Sequence, residues 1–333
     1  MSAIYIAVAP DLVHELELDR QCERLKPLAH VAFWPGPGHT PPALLAETLS
    51  AVDVLVTGWG TPPLAQLEAW HPDRLPLRLV AHTAGTVKQI LPRAALERGL
   101  VVTHANESLA EAVAEFTLGA IIMARRQVFA AADRMRTGRE HLPIASQHEV
   151  RGSTIGIIGA SAIGRRVLQL LAPLAPQLLL ADPYCSAETA AALGADLVSL
   201  HELLQRSDIV TLHAPVTPQT LGMLGAAEFA LMRDGALFVN TARGRLIDHA
   251  ALLAELQAGR LHALLDVTDP TEPLPLDSPF YALENCVVLP HMAAVTIEAR
   301  RRQGMMVVDE IERFLAGEPL HFQVTPDRWD TMA

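Results

Sequence analysis

One stretch constrains this chain more than any other: Thr154-Ile155-Gly156-Ile157-Ile158-Gly159-Ala160-Ser161-Ala162-Ile163-Gly164, followed later by Leu178-Leu179-Leu180-Ala181-Asp182. It reads as a buried strand, a tight glycine turn, an amphipathic helix opening at Ala162, and a second strand ending in an acid. A helix N-terminus presents free N–H groups and the positive end of the dipole, which suits a pyrophosphate. The acid stands 18 residues beyond the last glycine, where a dinucleotide-binding unit places its ribose-binding carboxylate. Gly159, Ser161, Ala162, Ile163, Gly164 and Asp182 are therefore the candidate cofactor-binding residues. Ser161 replaces the middle glycine of the Gly-x-Gly-x-x-Gly fingerprint. Its Cβ narrows the approach to the pyrophosphate, and its hydroxyl can donate to a phosphate oxygen. Asp182 repels a 2′-phosphate, and Pro183-Tyr184-Cys185-Ser186-Ala187 carries no Arg or Lys to compensate. NAD is expected over NADP.

A chain of 333 residues exceeds the usual single-domain size and predicts two domains. Half the residues are apolar and few are aromatic, an α/β composition. A net charge of −11 argues against nucleic acid or an anionic membrane as partner, while a local Arg can still hold a small anion. Cys22, Cys185 and Cys286 are odd in number and far apart. No metal spacing or disulfide framework appears, so a reducing cytoplasm is expected and no metal. Met1 to Pro10 reads as a first strand rather than a signal peptide. The apolar run Thr117–Ala124 is too short to span a bilayer.

Strand-like runs alternate with helical patterns throughout. Ile4–Ala9, Val31–Trp34, Val52–Thr57 and Leu77–Ala81 come first. Ile155–Ile158, Leu178–Ala181, Ile209–His213, Ala236–Asn240, Ala263–Asp266 and Val287–Pro290 follow. Long helices are predicted from about Glu107 to Arg126 and from Thr296 to Leu315, with a polar connection from Arg134 to Glu149. The pattern predicts an α/β fold of two doubly wound parallel sheets. A Rossmann cofactor domain, 106–294, is inserted into a flavodoxin-like substrate domain made of 1–105 and 295–333. In this arrangement the bracketing helices are hinges and the substrate lies between the domains. Two sequential domains are the alternative.

Three polar residues follow three strands of the second half: Arg243 in Asn240-Thr241-Ala242-Arg243-Gly244, Glu272 beyond Ala263–Asp266, and His291 after Val287–Pro290. Ligands of parallel sheets bind outside the carboxyl ends of strands, so the three can converge. An Arg fork holds a carboxylate and polarises the adjacent carbonyl. A His exchanges the hydroxyl proton, and a neighbouring carboxylate favours its charged form. Asp269 is a rival for Glu272 as the His partner.

With Leu212-His213-Ala214-Pro215-Val216-Thr217-Pro218, Asn240–Gly244 and Leu289-Pro290-His291 added to Gly156–Gly164, the chain resembles the D-isomer-specific 2-hydroxyacid dehydrogenase family. The resemblance implies Arg243 as binder of the substrate carboxylate, His291 as acid/base and Glu272 as its partner. It also implies Asp266 near the nicotinamide carboxamide, and Pro215, Thr220, Thr241 and Ala242 along the cofactor. Backbone N–H groups of the turn His82-Thr83-Ala84-Gly85-Thr86 would bind the substrate carboxylate, with Gly85 and Thr86 as candidates. A homodimer through the cofactor domain and a 2-oxo/2-hydroxy acid substrate are further implications. Departures from the family pattern are Ser161, Val87-Lys88 where an Asp-Asn pair is usual, Leu109 where many members have Asn, and Met292-Ala293-Ala294. Lys88 or His82 could add a polar contact to the substrate. Two other readings stay open: an NAD(H)-sensing binding protein, and oxidation of a different small anion of formate or phosphonate type.

Overall fold

The computed structural model describes residues 1–138, 142–329 and 332. The predicted connection from Arg134 to Glu149 includes 139–141, which lie outside the described residues. The chain forms two compact units, Met1–Leu109 with Thr296–Ala333, and Ala110–Val295.

In the first unit, strands β1 (Ser2–Ile6), β2 (Ala29–Phe33), β3 (Val54–Thr57), β4 (Leu79–His82) and β5 (Val101–His104) are all parallel. Their order is β2-β1-β3-β4-β5, the flavodoxin-like arrangement. Every residue of β3 and β4 is buried, as continuous apolar runs require when a sheet is covered on both faces. The period of two sorts their side chains. Leu55, Val80 and Val102 join a core with Leu45, Leu67 and Trp70. Val54, Val56, Leu79 and Ala81 face Val307, Val308 and Ile311 of the helix Ile297–Ala316. That helix opens where Thr296 Oγ1 accepts from Ala299 N–H and closes on Gly317 at φ 70°, a left-handed cap that glycine adopts without a Cβ penalty.

The second unit holds β6 (Thr154–Ile158), β7 (Gln177–Ala181), β8 (Asp196–Leu197), β9 (Ile209–Leu212), β10 (Leu237–Asn240), β11 (His262–Leu265) and β12 (Cys286–Val288). All pair in parallel, in the order β12-β11-β10-β9-β6-β7-β8. This is the Rossmann order with a seventh strand added. Ile158, Val210, Leu212, Phe238 and Leu265 pack on one face. Ile155, Ile157, Leu180, Val239 and Leu264 pack on the other, with Ala114 and Ile121 of the helix Glu107–Arg125. Both sheets are the doubly wound α/β type predicted. Among the described residues, no helix is long and apolar enough to cross a membrane.

Three elements escape the sequence pattern. β5 has four residues, although its Val-Val-Thr run is β-branched. β8 has two residues, with Asp196 exposed at the sheet's end, too short to carry a periodicity. The helix Val128–Arg136 takes in Arg134, where a connection was expected.

Phe238 is fully buried and meets the Phe229 ring edge-on at 5.4 Å. Phe238→Ala removes a large side chain that its rigid neighbours cannot replace. Urea unfolding is expected to show a loss of about 3–5 kcal/mol.

Candidate functional site

β6 ends at Ile158, and Gly159 then takes φ 98°. A Cβ there would lie 2.8 Å from Ala214 N and 2.9 Å from the His213 carbonyl group, so only glycine lets the two loops touch. A Cβ on Gly164 would lie 2.1 Å from Gly159 O, which explains the last glycine: the helix must sit against the turn. Ser161, by contrast, has φ −61° and serves as N-cap of the helix Ala162–Leu171, a conformation in which a side chain is unstrained. Its Oγ accepts from Gly164 N–H at 3.3 Å, and the hydroxyl proton stays available to a phosphate oxygen. Among the described residues, the amides of Ser161, Ala162 and Ile163 have no hydrogen-bond partner. Free amides, the helix dipole and the Gly159 cradle together fit a pyrophosphate. Asp182 Oδ2 accepts from Ala160 N–H at 2.6 Å and Oδ1 from Tyr184 N–H at 2.7 Å. The acid thus ties the turn to the end of β7, while each oxygen keeps lone pairs for ribose hydroxyls.

Two further loops meet this end of the sheet. Thr220 Oγ1 donates to Pro215 O at 2.6 Å and accepts from Thr217 N–H at 2.8 Å, closing the loop after β9. Thr241 Oγ1 lies 3.0 Å from Thr117 Oγ1, whose own proton goes to Val113 O at 2.7 Å. Thr241 is therefore the donor of that pair and presents only lone pairs elsewhere. Ala242 follows it, buried in the core. The sequence had no local signal for Thr117, which is buried on the helix Glu107–Arg125.

After β10, Asn240 staples its own turn: Oδ1 accepts from Ala242 N–H at 3.0 Å and Nδ2 donates to Arg243 O at 3.1 Å. A Cβ on Gly244 would lie 2.2 Å from the Thr268 carbonyl carbon and oxygen, so the Arg243 turn is pressed against the loop after β11. Burial lowers the Arg243 pKa and the nearby Glu272 carboxylate opposes the shift. In the next loop Glu272 Oε1 accepts from Thr268 N–H at 2.9 Å, and Oε2 lies 2.7 Å from His291 Nδ1. The His partner is Glu272. Asp269, the rival, instead lies near His249, whose pKa burial lowers against the opposing charge of Asp269. His291 stands at φ 56°, a left-handed conformation that costs a non-glycine residue roughly 1–2 kcal/mol. Asp266, 1 % exposed, holds it there: its main-chain O accepts from His291 N–H at 2.9 Å. The Asp266 carboxylate accepts from Met292 N–H at 2.8 Å and Ala293 N–H at 2.9 Å. Met292 and Ala293 are anchored by their backbone, with the Ala293 side chain buried and that of Met292 exposed.

In the first unit, β4 leads into Thr83-Ala84-Gly85-Thr86. Thr83 N–H donates to Thr57 O at 2.8 Å, Thr83 O accepts from Gln303 Nε2 at 2.8 Å, and Ala84 O accepts from Ala105 N–H at 3.0 Å. Among the described residues, the amides of Ala84, Gly85, Thr86 and Val87 have no partner. Buried backbone donors are rarely left so. A Cβ on Gly85 would stand 2.9 Å from Asn106 Oδ1, so glycine keeps the turn close to that loop. The Val87-Lys88 departure is structural: Val87 is core, and Lys88 Nζ donates to Met332 O at 2.8 Å. His82 is buried with Nδ1 3.0 Å from Thr57 Oγ1. Among the described residues, no cluster of acidic, His and Cys side chains could hold a metal ion.

The model of the D-isomer specific 2-hydroxyacid dehydrogenase NAD binding domain matches residues 118–293. The D-3-phosphoglycerate dehydrogenase of Methanocaldococcus jannaschii is 34% identical over 82% of this chain and 52% of its own length. The chain thus spans about half the length of such relatives. The glyoxylate reductase of Korarchaeum cryptofilum is 33% identical, with 83% of each chain covered. Among solved structures, the TT0316 protein of Thermus thermophilus superimposes with a TM-score of 0.78 at 30% identity, covering 97% of this chain and 100% of that one.

Behind the glycine turn, His213 is buried with Nε2 2.9 Å from Thr211 Oγ1 and no partner for Nδ1 among the described residues. Burial pushes its pKa down to about 3, from about 6.5 in the unfolded chain. Below pH 6.5 the unfolded chain takes up a proton that the folded one refuses. Stability is therefore full above that pH and is lost as pH falls toward 3. Between pH 7 and pH 4 the wild type is expected to lose about 3 kcal/mol more unfolding free energy than His213→Gln. Parallel pH dependences of the two proteins in urea would refute a neutral buried imidazole.

Proposed function

Since the chain belongs to the D-isomer-specific 2-hydroxyacid dehydrogenase family, we propose that it interconverts a D-2-hydroxy acid and its 2-oxo acid with NAD(H). The observation that carries the reading is the 2.7 Å contact between His291 Nδ1 and Glu272 Oε2. An ionised carboxylate can only accept, so Nδ1 carries the proton and Nε2 is the nitrogen left for the substrate oxygen. In oxidation His291 Nε2 takes the hydroxyl proton, and in reduction it gives that proton to the carbonyl oxygen. Glu272 orients the ring, while Thr268 N–H fixes Glu272 in turn. Arg243, half-buried and with its pKa lowered by burial, pairs with the substrate carboxylate and polarises the carbonyl, an interaction strengthened where water is excluded. Within the first unit, the free amides of Gly85 and Thr86 suit a carboxylate as a backbone nest does.

NAD fits the free amides of Ser161, Ala162 and Ile163 for its pyrophosphate and Asp182 for its ribose, with Pro215, Thr220, Thr241, Ala242 and Asp266 along its length. When bound, it supplies or accepts the hydride. Asp182 favours NAD over NADP because a 2′-phosphate would meet its carboxylate. A homodimer through the second unit and a cytoplasmic location belong to the same reading, supported by the family and by three unpaired cysteines among the described residues.

Purified protein with NADH and a panel of 2-oxo acids tests the reading, with NADPH run alongside. Reduction of at least one acid, faster with NADH, is the expected outcome. NADH binding without reduction of any panel member would sink the 2-oxo acid reading and point to an unusual substrate or to an NAD(H) sensor. His291→Ala and Arg243→Ala are each expected to lower kcat by about 100-fold or more with NADH affinity kept. Near-normal turnover in His291→Ala would remove it as the acid/base. Asp182→Ala is expected to raise the NADPH rate relative to NADH, and an unchanged ratio would take cofactor choice away from that residue.

A further inference from the structure

The helix Ile297–Ala316 turns one apolar stripe toward the first unit's sheet, with Val307, Val308 and Ile311 in the core. Gln303 lies four residues before Val307 on that stripe and is fully buried. A primary amide removed from water costs stability unless its groups are bonded. Here Nε2 donates to Thr83 O at 2.8 Å, and Oε1 accepts from Arg300 Nη1 at 3.2 Å. Arg300 is itself held: its guanidinium stacks 4.2 Å from the centroid of the Trp59 ring, and Nε lies 3.2 Å from Glu15 Oε2. The row Trp59, Arg300, Gln303 therefore ends on one carbonyl, that of Thr83.

That carbonyl belongs to the peptide whose other end is Ala84 N–H. A trans peptide keeps its C=O and N–H antiparallel, so pinning Thr83 O aims Ala84 N–H the opposite way. The next peptide is pinned identically, Ala84 O on Ala105 N–H, which aims Gly85 N–H. The unpartnered amides of Ala84 and Gly85 are thus aimed by the two carbonyls fixed behind them. We propose that Gln303, oriented by Arg300, is a positioning residue that sets the anion affinity of the Ala84–Thr86 turn. This rests on the reading of that turn as the seat of the substrate carboxylate. A polar amide on a core-facing stripe thus has a purpose beyond packing.

Calorimetric titration of the NADH-saturated protein with oxamate, an unreactive analogue of a 2-oxo acid, reads the affinity directly. Gln303→Met keeps the volume and loses the donor, and is expected to weaken oxamate about tenfold, the equivalent of about 1.4 kcal/mol. Arg300→Met is expected to weaken it less, and the double variant no more than Gln303→Met alone, since Arg300 acts through Gln303. KM for a reducible 2-oxo acid is expected to rise in step while kcat holds, as for an interaction equal in ground and transition states. A purely structural Gln303 would lower the melting temperature and leave oxamate affinity unchanged, which overturns the proposal. Should Gln303→Met fail to fold, unchanged affinity in Arg300→Met overturns it equally. Oxamate binding that weakens in the variants, with no 2-oxo acid reduced by the wild type, would defeat the dehydrogenase reading and uphold the positioning role.

Discussion

In a parallel sheet covered on both faces, the N–H and C=O groups along a central strand have to be paired within the ladder, because water cannot reach them. Both sheets of this chain meet that condition, with β3, β4, β9 and β10 buried along their whole length. Free backbone donors can then arise only where strands stop. That is where they occur, at Ser161–Ile163 beyond β6 and at Ala84–Val87 beyond β4. Two turns with unpartnered amides follow from one rule of backbone satisfaction applied to two sheets.

The loops beyond those ends are held by side chains that bond to main chain. Asp182 pins the glycine turn, Asn240 the Arg243 turn, Asp266 the His291 segment, and Glu272 the start of its own loop at Thr268. The bonds of Asp182, Asp266 and Glu272 are charge-assisted and stronger than the neutral ones of Asn240. They keep His291 at a positive φ that an isolated peptide would avoid. Glu272 does this with one oxygen and reaches the imidazole with the other. The Thr268 loop and the His291 imidazole therefore share one carboxylate, and a change at Glu272 disturbs both.

Much of this was legible in the residues themselves. The fingerprint glycines are demanded locally: Gly159 by its positive φ and its backbone contact, Gly164 by the carbonyl under it. Ser161 was readable only in part, since its N-cap bond depends on the helix start falling at Ala162. β8 and the helix Val128–Arg136 were not legible, the first too short for a period and the second not set apart from the polar connection around it. Gln303 carries a local signal, a polar amide on an apolar stripe, but nothing near it in sequence names Thr83 as its partner.

The sequence by itself determined ten of the twelve strands among the described residues, the glycine turns and the three polar residues placed after strands, because each depends on neighbours a few positions away. Only the tertiary structure decided which loops touch. Glu272 rather than Asp269 reaches His291 because of how the loop after β11 folds back over Thr268. Thr241 meets Thr117 across 124 positions and Gln303 meets Thr83 across 220. Such pairings follow from strand order and from the packing of helices on a sheet. Local periodicity records how much of a side chain is buried, and carries no information on what it is buried against.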